Sequence, residues 1–93
     1  MHLEKAKKRI DKYVKKGFNG YPQITLTYYG MTKDCATEVV VQFTPSEGDS
    51  IQEERFSCET EIRNSELIQT TLVKIIDRTN AKSVLETQGV VAL

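Results

Sequence analysis

The sequence predicts an α+β domain with element order α-β-β-β-α-β: an antiparallel three-stranded meander plus a crossover strand, with two helices packed on the sheet. Three observations predict it. Apolar residues recur at helical spacing over 3–16 and again over 65–79. Between 21 and 61 the period falls to two, in β-branched and aromatic residues. Gly, Pro, Asn and Ser punctuate the joins. Ninety-three residues leave room for one domain, 1–93, and 39% hydrophobic with 28% charged residues is the composition of an ordinary folded chain.

The first helix, 3–16, gathers Leu3, Ala6, Ile10, Tyr13 and Val14 on one side. Lys5, Lys8, Arg9, Lys12, Lys15 and Lys16 fall on the other. Glu4 with Lys8 and Asp11 with Lys15 are i,i+4 pairs in the favourable order. Gly17 follows three cations of the last turn, where a left-handed residue ends a helix. Phe18 is expected to pack back on that helix, Asn19-Gly20 to turn, and Pro22 to open an edge or first strand position.

The first strand alternates Ile24, Leu26 and Tyr28 with Thr25, Thr27 and Tyr29. A polar connection, 30–36, leads to a second strand over 37–44. There Val39, Val41 and Phe43 face one way and Glu38, Val40 and Gln42 the other. Pro45 to Ser50 is a loop. A third strand over 52–61 turns Phe56 and Cys58 inward and Glu53, Arg55 and Glu59 outward. The second helix, 65–79, is capped by Asn64 or Ser65, carries Glu66 in its first turn, and stops at Asn80. Its buried stripe is Ile68, Leu72, Ile75 and Ile76, with Leu67 at the margin. A fourth strand, 81–87, follows; Gln88-Gly89 bends the chain, and 90–93 forms a last short strand.

The crossover helix is expected to set the fourth strand parallel to the third. Each helix has one apolar stripe and needs a sheet face. Whether they share a face or take opposite faces is open in the sequence. The first strand, 23–29, has no charged residue, which marks it as an unguarded edge. An uncovered face would present Thr25, Thr27, Tyr29, Val40 and Gln42. Self-association as a homodimer through that edge or face is therefore expected.

The net charge of zero is a cancellation. Residues 1–20 carry +5 and residues 21–93 carry −5, with seven acids between Glu47 and Glu66. The longest apolar runs, Val39–Val41 and Val90–Leu93, fall far short of the ~20 residues of a membrane span. The first residues carry charge where a secretory signal has an apolar core, so a cytoplasmic location is expected. Cys35 and Cys58 offer no metal-ligand spacing and are expected as reduced thiols.

Lys16-Gly17-Phe18-Asn19-Gly20-Tyr21-Pro22, Tyr28-Tyr29-Gly30 and Ala36-Thr37-Glu38-Val39-Val40-Val41 resemble a small family of bacterial proteins to which no activity is attached. The likeness continues more loosely through Glu61-Ile62-Arg63 and residues 81–91. It implies a small bacterial cytoplasmic protein and carries over no site residue.

The α-β-β-β-α order is shared with double-stranded-RNA-binding domains. Their second helix begins with a basic cluster, however, and here it begins Asn64-Ser65-Glu66 after Glu59 and Glu61. Divalent-metal nucleases of similar order need an acid on the second strand and an acid-x-Lys on the third. The nearest match, Glu38 with Glu53-Glu54-Arg55, ends in an arginine that cannot act as a base. The sole histidine, His2, is terminal, and Asp34 beside Cys35 disfavours a thiolate. No catalytic residue, metal or cofactor is expected.

What remains is the basic helix face, Lys5, Lys8, Arg9, Lys12, Lys15 and Lys16, as contact for an anionic partner. The leading expectation is a binding or regulatory module acting by protein–protein contact, the partner being another protein or a second copy's acidic 47–66 region. The alternative is a nucleic-acid-binding protein using the same face.

Overall fold

The computed structural model describes residues 2–93. Helix α1 spans Leu3–Lys15 and α2 spans Glu66–Thr79. The strands are β1 (Gln23–Gly30), β2 (Glu38–Thr44), β3 (Gln52–Ser57), β4 (Ser83–Glu86) and β5 (Val91–Ala92). A single 3-10 turn, Ile62–Asn64, precedes α2. The sheet runs β3-β2-β1-β4, with β5 pairing parallel to the end of β1. β1, β2 and β3 form the antiparallel meander.

The fourth strand does not lie beside the third. β4 pairs parallel with β1, Ile24 opposite Val84, and this corrects the expected neighbour. The reason is chemical. β3 is exposed at all but Phe56 and carries Glu53, Glu54 and Arg55, so it suits a solvent-flanked edge. β1 alternates fully buried with half-buried residues and takes neighbours on both sides. Its lack of charge marks a central strand and not an open edge.

Both helices pack on one face. Ala6 and Ile10 of α1 and Leu72, Val73, Ile75 and Ile76 of α2 join Ile24, Leu26, Tyr28, Val39, Val41 and Val84 in one cluster. The alternation of β1 and β2 follows from this, since every second side chain enters the cluster. On the opposite face Val40 is only 2% exposed. Its rung neighbours are Thr27 and Arg55. The Arg55 guanidinium lies 5.7 Å from the Tyr29 ring centre and 3.1 Å from Glu38 Oε2. On this face Val40 is thus buried, and Tyr29 is half-buried against Arg55.

Local signals explain the ends. Ser65 caps α2, its Oγ accepting from the Ile68 N–H at 3.3 Å. Asn80 closes α2 in the left-handed region at φ 53°, and Gly17 does the same after α1 at φ 67°. Asn19 Nδ2 donates to the Lys16 carbonyl at 3.0 Å. Phe18 does not pack back on α1: it is 57% exposed and stands edge-on to Tyr21. Pro22 precedes central β1, after a cis peptide bond, and its carbonyl accepts from Lys82 N. β3 ends at Ser57, and the residues expected to prolong it lead into the 3-10 turn.

Candidate functional site

Two surfaces concentrate chemistry. The first is the outer face of α1. Lys5, Lys8, Lys12, Lys15 and Lys16 are exposed on it, because Ala6 and Ile10 turn the other side of the helix to the core. None of these five lysines ion-pairs with a carboxylate among the described residues. The expected Glu4–Lys8 and Asp11–Lys15 pairs are not formed.

Arg9 is different. Its Nη2 donates to both Asp77 carboxylate oxygens at 3.0 Å, and Tyr13 Oη donates to Asp77 Oδ1 at 2.8 Å. Hydrogen bonding to Tyr13 and the Asp77 charge hold the guanidinium above its usual pKa. Arg9 therefore belongs to the α1–α2 junction, and its charge is already matched. In its place the fold brings in Lys82, from the turn before β4. Lys16 and Lys82 line a hollow with Tyr13 and Asn19, while Lys12, Arg9 and Lys16 line another that also includes Tyr13.

The second surface is a cleft of about 330 Å³ lined by Lys7, Ile10 and Asp11 of α1, Tyr28 of β1, Glu61, Arg63 and Asn64 around the 3-10 turn, Gln69 of α2 and Glu86 of β4. Arg63 and Glu61 are locked together, Nε donating to Oε2 at 2.9 Å, and Arg63 Nη2 also reaches the Asp34 carbonyl at 3.4 Å. The Arg63 hydrogen bonds, with backbone N–H groups of Arg63 and Ala36, pull the Glu61 carboxyl down to about 2. Tyr28, 5% exposed, accepts from Gln69 Nε2 at 3.3 Å, and burial pushes its phenol up to about 12. Partial desolvation by the cleft walls, then the neighbouring Asp11 charge, raises the Glu86 carboxyl, although the residue stays exposed to solvent. Apart from Arg9, every group among the described residues with a clearly moved pKa lies in this one cleft.

Sequence reading did not find the cleft, although two signals pointed to it. Gln69 sits one residue from Ile68 in the apolar stripe of α2 and is 3% exposed. Glu86 has the strand parity of buried Val84, so its side chain is set on the helix side. The nuclease-like pair does not assemble. Glu38 is bound by Arg55 and lies opposite Ser57, whereas Glu53 lies opposite Gln42, four residues along the strand. No three His, Cys, Asp or Glu side chains among the described residues are grouped to hold a metal ion. Among those residues no helix is long and apolar enough to cross a membrane.

Comparison of the chain with protein-family models, with curated proteins and with solved structures finds no match in any of the three.

Proposed function

We propose that this protein is a small cytoplasmic binding or regulatory module that acts by protein–protein contact, with no chemistry of its own. Its contact face is the lysine ridge of α1, and its partner is an acidic protein surface. One observation carries the reading: five exposed lysines on one helix face have no carboxylate partner among the described residues, while the one arginine beside them is matched internally. A second copy supplies one such surface through its acidic 47–66 region, and a different protein supplies the other.

The ridge offers lysines as point charges, with its arginine occupied by Asp77 and no arginine fork left for phosphate. Titration of the labelled protein with an Asp/Glu-rich peptide, and with short duplex and single-stranded DNA and RNA, tests the reading at low and moderate salt. The peptide is expected to bind, and Lys12→Glu with Lys16→Glu to abolish that binding. Tighter binding of a nucleic acid at equal salt supports the alternative use of this face. Absence of all binding at low salt, where charge-driven affinity is greatest, overturns both.

A further inference from the structure

The cleft holds charges that the fold leaves unmatched. Asp11 and Glu86 stand on its α1 and β4 walls and take part in no ion pair among the described residues. Lys7, one helical turn before Asp11, makes only a 3.4 Å contact with Asn64 Oδ1. Tyr28 accepts from Gln69 and donates to no acceptor among the described residues. Arg63, by contrast, has its charge matched by Glu61, and its Nη2 also reaches the Asp34 carbonyl. Two open carboxylates, one open ammonium and one buried hydroxyl proton thus line a cavity at the small end of ligand-site volumes.

We propose that this cleft binds a small zwitterion of the α-amino-acid class, its ammonium held by Asp11 and Glu86 and its carboxylate by Lys7 and the Tyr28 hydroxyl. Other ligand classes fit the same groups less well. A simple anion meets three carboxylates and an arginine already engaged. A bare cation leaves Lys7 and the tyrosine proton unused, and the carboxylates are not grouped for a metal. Ile10 gives the cleft its apolar wall, against which a small aliphatic side chain would rest.

Binding is also tied to pH. The titratable groups facing Glu86 are Asp11 and Lys7 from α1, Tyr28 from β1, and Glu61 and Arg63 beside the 3-10 turn; α2 contributes only Gln69. A ligand ammonium replaces the cation that Glu86 lacks and favours its ionised form. Affinity therefore rises with pH through the titration of Glu86 and falls below it.

The test is a titration of the 15N-labelled full chain with L-alanine, with ethylamine as cation alone and with propionate as anion alone. L-alanine is expected to shift amides around the cleft with a Kd of ~1 mM, as so few atoms allow. Ethylamine should bind several-fold more weakly and propionate not at all. Glu86→Gln is expected to weaken L-alanine about tenfold and to remove the pH dependence, with thermal melts showing that it folds. Asp11→Asn serves as a second variant at an exposed helix position. Lys12→Glu, on the outer ridge, should leave L-alanine binding unchanged, which separates this site from the protein-contact face. No shift at the cleft with L-alanine, wild-type affinity in both Glu86→Gln and Asp11→Asn, or tighter binding of propionate than of L-alanine each overturns the proposal.

Discussion

Glu61 is the side chain on which the β1–β2 connection and the 3-10 turn converge. Its Oε1 accepts from Ala36 N at 3.1 Å and its Oε2 from Arg63 N at 3.0 Å, while Ile62 N returns a bond to the Ala36 carbonyl at 2.7 Å. The depressed carboxyl fixes the sign of its pH effect. Its stabilisation is fully present above the ordinary value of 4.5 and is lost as pH falls towards about 2. Glu61→Gln should cost about 1–2 kcal/mol at neutral pH, since the donors lose a charged acceptor. In urea titrations from neutral pH to pH 2 the gap between wild type and variant should close; a constant gap would exclude this role. Gly30 shows a second residue-scale constraint. A Cβ there would stand 2.0 Å from the Cys35 carbonyl oxygen, so the turn closed by the Thr32–Cys35 bridge admits no side chain at that point. Gly30→Ala should destabilise the protein by about 2 kcal/mol or more in denaturant titrations, through overpacking against backbone.

At the scale of elements, the parts with a period and a stop signal were legible. Both helices, the β1 and β2 alternation and the Ser65 cap follow from local chemistry, because apolar spacing and capping groups lie within a few residues of one another. Ser65→Ala should cost about 1 kcal/mol by thermal or urea melting, the usual loss for an N-cap hydroxyl. An unchanged midpoint would mean that Ile68 N–H finds water at no cost. Strand order was harder to read, because it depends on which strand tolerates two neighbours. The uncharged run Gln23–Tyr29 held that information, yet it fits an unguarded edge as well as a sheet centre until β3's charges are weighed against it. The cleft was less legible still. Lys7, Tyr28, Glu61, Gln69 and Glu86 come from five separate segments, and only the parallel β1–β4 pairing brings the last of them to the first.

For the whole molecule, sheet order sets the charge axis. α1 packs against β4 at one side, while β3 and its preceding acidic loop form the other. Three strand spacings of ~4.8 Å separate the two sheet margins. The lysine ridge and Glu53, Glu54 and the acids around them thus belong to opposite margins of the sheet, and no ion pair among the described residues joins them within one copy. The central position of β1 removes it as an edge for self-association, and on the outer sheet face Val40 is buried while Tyr29 lies against Arg55. Charge complementarity favours ridge against acidic margin as the contact between two copies. Such a contact joins unlike surfaces, so it grows head to tail unless geometry closes a ring. It is also screened, the Debye length falling from about 10 Å at 0.1 M salt to about 3 Å at 1 M. Light scattering at low salt should give a mass that rises above 10.6 kDa with protein concentration and returns to 10.6 kDa at high salt. Lys12→Glu with Lys16→Glu should remove the rise. A mass of 10.6 kDa at every concentration and salt would leave the ridge to a different protein, and a larger mass indifferent to salt would exclude charge as the force between copies.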